Sequence, residues 1–317
     1  MKNKIKIGVS SCLLGEKVRW NGDHKQDRYV RDVLGNYFEY VPTCPEVDVG
    51  MGIPRETVGL YGTLENPRMI GKKTQTDWTR KMDEYTKDRV NELANHDLCG
   101  YIFKSKSPSC GTGRVNVYSE FGSTKIRHGL GMFAKAFIKT LPLVPIEDEG
   151  RLHDSRIKEN FIIRVFCFYR LGCLLRERFA IGKLVKFHTK HKFLLLSHSR
   201  KHYDIMGKLV ANAKLLKVEE LKARYSKLFM EALTYKSTPK KNTNVLLHMT
   251  GFLKKILTSD EKEDILATIE DYRKELLPII VPITLIQHQA KTHKIEYLLD
   301  QVYLNPHPKE LMLRNHV

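Results

Sequence analysis

Ile5-Lys6-Ile7-Gly8-Val9-Ser10-Ser11-Cys12-Leu13-Leu14-Gly15 begins as a short apolar β-type run, Ile5 to Val9, and breaks off into small residues and a cysteine. Two further runs end the same way. Tyr37 to Val41 leads into Pro42-Thr43-Cys44-Pro45-Glu46, and Gly100 to Phe103 leads into Ser105-Lys106-Ser107-Pro108-Ser109-Cys110-Gly111. Helical patterning fills Asp77 to Asn95 and Leu130 to Thr140. Strands alternating with helices predict an α/β domain, a mostly parallel sheet flanked by helices in the Rossmann-like manner. In an open parallel sheet the carboxyl ends of the strands share one edge, where ligands bind. Cys12, Cys44 and Cys110, each just beyond a strand end, can therefore converge although they are far apart in sequence.

The composition changes where Leu141-Pro142-Leu143-Val144-Pro145 runs into Glu147-Asp148-Glu149-Gly150, which places a boundary between a domain of residues 1–147 and one of residues 148–317. Beyond it apolar residues recur at helical spacing, as in Ile157, Phe161, Ile162, Val165 and Phe166, and in Ile265, Ile269, Tyr272 and Leu276. The second domain is expected to be all α. Thr258 with Glu261 three residues on marks the start of one of its helices. A chain of 317 residues suits two such cores.

Charge is unevenly shared. Residues 1–150 hold 23 Lys plus Arg against 19 Asp plus Glu, whereas residues 151–317 hold 31 against 17, so most of the net +18 lies in the second part. Such a domain attracts polyanions, nucleic acid first among them, unless its cations serve only to keep helices soluble. The densest basic run is Lys183 to His202, where Lys186, Lys190, Lys192, Arg200 and Lys201 interleave with Phe187, His188, His191, His198 and His202. This strip is expected to grip an RNA backbone through phosphate contacts. His198 and His202 have the spacing of a zinc pair on one helix face, but no third ligand is evident, and they read as core or solvated histidines.

The longest apolar run, Leu276 to Ile286, contains Pro278 and Pro282 and is too short to span a membrane. Lys2, Lys4 and Lys6 ahead of Ser10-Ser11-Cys12 imitate a lipoprotein leader but lack its apolar stretch. A cytoplasmic protein with reduced cysteines is expected. No Walker or dinucleotide fingerprint is present.

Three thiolates suit a soft metal, and iron-sulfur clusters are held by such ligands. With three ligands one iron keeps an open position, where a sulfur-containing substrate fits. Spacing alone leaves unrelated buried thiols as an alternative, and Cys99 could complete a four-thiolate zinc site. Cys167 and Cys173, in apolar helical sequence, read as core residues.

Ser10-Ser11-Cys12-Leu13-Leu14-Gly15, Val18-Arg19-Trp20-Asn21-Gly22, Cys44-Pro45-Glu46 and Ser107-Pro108-Ser109-Cys110-Gly111 together resemble the TudS-type thiouracil desulfidase family. The helical remainder is similar to the domain fused to it in RudS-type tRNA 4-thiouridine desulfidases. The resemblance implies a 4Fe-4S cluster on Cys12, Cys44 and Cys110, whose unique iron takes the thiocarbonyl sulfur. It also implies a catalytic glutamate and serine, matched by Glu46 and by Ser107, with Ser109 as the competitor for the second role. Trp20 departs from the tyrosine of many relatives. The implied reaction is a non-redox hydrolysis that gives uridine and sulfide, most readily on 4-thiouridine in tRNA. Read without the family, Glu46 is a helix-start or salt-bridge carboxylate and Ser107 a turn residue, while Arg19, Asp23, Arg55 and Arg114 are surface charges or contacts to a base or phosphate. Two other functions compete. One is a desulfidase of free 2- or 4-thiouracil, and the other a noncatalytic RNA-binding protein with structural zinc at Cys12, Cys44, Cys99 and Cys110. No protein partner is inferred.

Overall fold

The computed structural model describes residues 4–119, 125–176 and 178–316, so Lys2 lies outside the described residues. The chain divides into two compact units, Met1–His153 and Asp154–Val317.

In the first unit, β1 (Ile5–Ser10), β2 (Phe38–Thr43), β5 (Tyr101–Phe103) and β8 (Ile146–Asp148) form a parallel sheet in the order β2-β1-β5-β8. β1 is central and lacks a polar face: Ile7 and Val9 are fully buried, and so is Leu13 in the turn that follows. Gly8 is required here, because a Cβ would sit 2.1 Å from the ring of Tyr101. That ring stacks on Phe103 at 4.0 Å and meets Phe137 edge-on at 4.9 Å, locking helix α3 (Met132–Thr140) to the sheet. Helix α2 (Thr79–Ala94) buries Met82, Thr86, Val90 and Leu93, a single stripe at helical spacing. The short helix α1 (Pro45–Asp48) follows β2 directly.

A second sheet of the same unit falls outside the sequence reading. β3 (Val58–Gly62), β4 (Pro67–Gly71), β6 (Val115–Tyr118) and β7 (Lys125–Gly129) pair in the order β4-β3-β6-β7, with β3 and β6 parallel and both outer pairs antiparallel. Val58, Leu60, Val115 and Val117 pack on Met69, Met82 and Met132 and give this sheet its own core. The expected boundary at residue 147 falls inside β8. Glu147 and Asp148 lie in the strand that closes the first sheet, and Glu149 just beyond it accepts from the Ser105 amide at 2.7 Å.

The second unit contains helices and no strand among its described residues. Its elements are α4 (Ser155–Arg176), α5 (Ile181–Lys190), α6 (Lys192–His198), α7 (Arg200–Ala211), α8 (Val218–Thr234), α9 (Pro239–Gly251), α10 (Ser259–Arg273), α11 (Ile280–Thr292) and α12 (Glu296–Leu299). Phe161, Ile162, Val165 and Cys167 are buried along α4, whereas Cys173 is half-buried. The capping box stands at the start of α10: Glu261 accepts from the Thr258 amide at 2.9 Å, and Thr258 accepts from the Glu261 amide at 3.2 Å. Leu276, expected in the same stripe, lies beyond the end of α10 and is 65% exposed. No helix among the described residues is long and apolar enough to cross a membrane.

Candidate active site

β2, β1 and β5 are adjacent and parallel, so their carboxyl ends open on one side of the sheet. Cys12 sits in the tight turn Ser11–Leu14 after β1, Cys44 caps α1 after β2, and Cys110 lies in the loop after β5. All three line one cavity of about 440 Å³, together with Glu46, Ser107 and Ser109. That volume is within the roughly 300–1,000 Å³ usual for ligand pockets. Burial, joined by the neighbouring Cys44, pushes the Cys12 thiol up to about 12, and burial pushes Cys44 to about 11. Cys110 is raised further still for the same reason. As free thiols all three are neutral, and they give up their protons only to a partner that replaces the lost hydration, as a metal does.

Cys99 is not among them. Its amide donates to the carbonyl of Lys6, near the start of β1, which puts it at the opposite edge of the sheet from Cys12. Among the described residues no three His, Cys, Asp or Glu side chains gather as a single metal ion requires. The four-cysteine zinc alternative has no geometry to support it.

Glu46 is held at both oxygens. Arg55 donates to Oε2 through Nη2 at 2.6 Å and Nε at 3.2 Å, while Ser109 Oγ donates to Oε1 at 2.7 Å and Ser107 Oγ at 3.3 Å. The two hydroxyls are themselves 2.9 Å apart. Ser107 Oγ also accepts from the amides of Ser109 and Cys110, both at 3.2 Å, and so shapes the turn that presents Cys110. Ser109 is 1% exposed and makes the shorter bond to Glu46. Arg55, weighed from sequence as a surface charge or substrate contact, is a buried partner of Glu46 with 5% side-chain exposure. Arg19 lines the cavity; Asp23 and Arg114 are not among its lining residues.

The second sheet and the loop after β5 add wall residues that the sequence reading did not single out, among them Gly59, Lys72, Lys104, Asn116 and Tyr118. Lys104 pairs with Glu149 and donates to the carbonyl and hydroxyl oxygens of Ser105 at 3.1 and 3.0 Å. The period-2 alternation of Val115-Asn116-Val117-Tyr118 was a signal for β6. Nothing in the sequence pairs Arg55 with Glu46.

The basic strip of the second unit is divided over α5, α6 and α7. Lys186 and Lys201 are exposed, Lys190 pairs with Asp300 at 3.1 Å, and Arg200 pairs with Asp204 at 3.5 Å. Lys192 lies 5.3 Å over the ring of Phe193. His188, His191, His198 and His202 are buried, so they do not interleave with these cations on a surface.

A parallel α/β sheet whose carboxyl edge gathers thiols, a clamped carboxylate and two hydroxyls defines a protein with a thiol-lined pocket. The family model of 2-thiouracil desulfurase matches residues 7–149, and that of a protein of unknown function (DUF1722) matches residues 192–308. The chain is 30% identical over 114 residues to the uncharacterized protein YbbK of Bacillus subtilis, covering 34% of this chain and 75% of YbbK. It is 26% identical over 162 residues to the uncharacterized protein YbgA of Escherichia coli, covering 51% of this chain and 96% of YbgA. A solved structure titled [4Fe-4S]-dependent thiouracil desulfidase TudS is 26% identical and covers 47% of this chain and 94% of its own, with a TM-score of 0.39. Through its first unit the chain belongs to the 2-thiouracil desulfurase family, here joined to a DUF1722 region.

Proposed function

We propose that the first unit hydrolyses the C=S bond of a thiolated uracil, and that 4-thiouridine in tRNA is its substrate. Water supplies the oxygen, sulfide leaves, and no electrons are exchanged. The observation that carries the reading is the single cavity lined by Cys12, Cys44, Cys110 and Glu46. Three sulfur donors, Cys110 buried and Cys12 and Cys44 half-buried, are the set that iron-sulfur clusters take, and a cluster fills with its own atoms the space between ligands too dispersed for one ion. Cys12, Cys44 and Cys110 would hold it. When bound, a cluster with an open iron supplies Lewis acidity toward the thiocarbonyl sulfur, which makes the ring carbon more electrophilic.

The remaining work falls to the chain's own groups. Arg55 fixes the Glu46 carboxylate, so that Oε1 faces the two serine hydroxyls and accepts the proton of the attacking water. Ser109 and Ser107 pass protons between that oxygen and the reacting base. Both stay candidates for the catalytic hydroxyl, Ser107 by family resemblance and Ser109 by its shorter contact.

Support for a polyanionic substrate comes from charge. Arg19, Lys25, Lys72 and Lys106 line the cavity without an ion-pair partner among the described residues. Lys186, Lys192 and Lys201 leave further cations of the second unit for phosphates. A base inside a tRNA must be turned out of its stack to reach such a pocket.

Anaerobic incubation of the reconstituted protein with thiolated tRNA, followed by nucleoside analysis, tests the reading. Uridine should replace 4-thiouridine, and tRNA binding should weaken steeply with salt. Glu46→Gln should keep the visible absorption of the cluster and lose turnover, whereas Cys12→Ser should lose the absorption itself. Turnover by Glu46→Gln removes its role as base. Turnover of free thiouracil with tRNA left untouched confines the activity to the free base.

A further inference from the structure

The wall that the second sheet gives the cavity contains a side chain that hydrolysis does not use. Along β6 burial alternates: Val115 and Val117, 2% and 1% exposed, enter the core, Val115 also touching the cavity, while Asn116 and Tyr118 are half-exposed and line it. The polar side chains around this cavity are hydroxyls, thiols, cations, a tyrosine phenol, the Trp20 indole, the Glu46 carboxylate and the amide of Asn116. Glu46 already has partners at both oxygens. Asn116 is the one carboxamide among the lining residues, and its amide has no hydrogen-bond partner among the described residues.

A carboxamide presents one acceptor and one donor side by side in a plane. Its complement is a ring edge with a donor beside an acceptor, the O=C–N–H edge of an imide. In uracil the N3–H group lies between two carbonyls. When either carbonyl oxygen is replaced by sulfur, one intact O=C–N3–H edge remains on the side of the ring away from the reacting atom. We infer that Asn116 holds this edge through a pair of hydrogen bonds and so sets the specificity of the pocket for an imide-type pyrimidine. The inference rests on the desulfidase reading above and adds to it the residue that recognises the base. Cys12, Cys44 and Cys110 line the same cavity as Asn116, so one ligand can offer its sulfur to the thiols and its ring edge to the amide. A site built to bond an N–H group discriminates strongly against an analogue without it, because its own polar atoms are then left unpaired.

The test compares 4-thiouridine with its N3-methyl derivative on the reconstituted full-length protein, wild type and Asn116→Ala. N3-methylation should lower kcat/KM of the wild type at least about tenfold, which corresponds to about 1.4 kcal/mol. Asn116→Ala should lose a similar factor on 4-thiouridine, mainly through KM, because contacts that hold ground state and transition state equally act there. It should then treat the two substrates alike within about twofold. Calorimetric binding of uridine and 3-methyluridine should show the same loss of discrimination without any turnover. Asn116→Ala that keeps the wild-type ratio overturns the inference, as does a wild type indifferent to N3-methylation; in both cases the desulfidase reading survives. A wild type without turnover of any thiolated uracil overturns that reading, and the inference falls with it.

Discussion

The Glu46 carboxylate lies between a guanidinium and two hydroxyls, with 15% side-chain exposure against 5% for Arg55. At such burial the pair is costly to break, because removing one partner strands the other charge in a medium that solvates it poorly. Arg55→Ala should therefore lower the unfolding free energy by about 3 kcal/mol or more in urea titrations. Adding Glu46→Gln to Arg55→Ala removes the stranded charge, so the double variant should recover part of that loss. Additive effects in this cycle would show that the two side chains are not coupled. This arrangement also marks a limit of sequence reading. Each thiol follows an apolar run and was legible as a residue at a strand end, but Arg55 reaches Glu46 across a loop, where no period relates the two positions.

Helix α3 secures the loop that carries Cys110. The amides at its start have no partners inside the helix, and three of them or their neighbours donate to that loop: Gly131 to the Gly111 carbonyl at 2.8 Å, Met132 to Pro108 at 3.0 Å and Ala134 to Ser109 at 3.2 Å. The approach is so close that a Cβ on Gly131 would lie 2.4 Å from the carbonyl carbon and oxygen of Ser109 and 2.7 Å from the amide nitrogen of Cys110. Backbone atoms cannot yield as a side-chain tip can. Gly131→Ala should cost about 1–3 kcal/mol, as overpacking does, and should reduce iron bound after reconstitution. Gly113→Ala is the control, because a Cβ there meets nothing within 4 Å. Equal iron content in the two variants would refute this account of how the loop is held. At this scale β1, β2, β5, α2 and α3 were readable from apolar runs and helical period. The second sheet was not. Val58-Gly59-Leu60-Tyr61-Gly62 and Pro67-Arg68-Met69-Ile70-Gly71 carry the glycine and proline that ordinarily mark loops, and they form strands because their alternate residues find a shared methionine-rich core.

Across the molecule the two units face acid differently, and the reason lies in the histidines of the helical one. Burial lowers His188, His198 and His307 to about 4 and His191 to about 3. In His191, His198 and His307, Nδ1–H donates to a backbone carbonyl, that of Phe187, Tyr235 and Pro308 respectively, and Nε2 has no partner among the described residues. Each is therefore set up as a neutral ring. An unfolded histidine takes up its proton near pH 6.5, whereas these four remain neutral in the fold until about pH 4 or below. Between these limits the unfolded chain binds more protons, so stability rises with pH and is lost as pH falls from about 6.5 toward 4. Each histidine contributes a slope of at most about 1.4 kcal/mol per pH unit. Four together rival the roughly 5–15 kcal/mol that holds a domain folded, so acid should melt the helical unit. Far-UV circular dichroism in urea should give a midpoint that is nearly constant above pH 7 and falls steeply between pH 6.5 and 5. His198→Gln, which can still donate to the Tyr235 carbonyl, should reduce that slope by about a quarter of the four-histidine total. A midpoint that does not move between pH 7 and 5 would mean that these rings are protonated inside the fold. The cations of this unit would then face additional buried charge, and its polyanion affinity would rise on acidification instead of being lost with the fold.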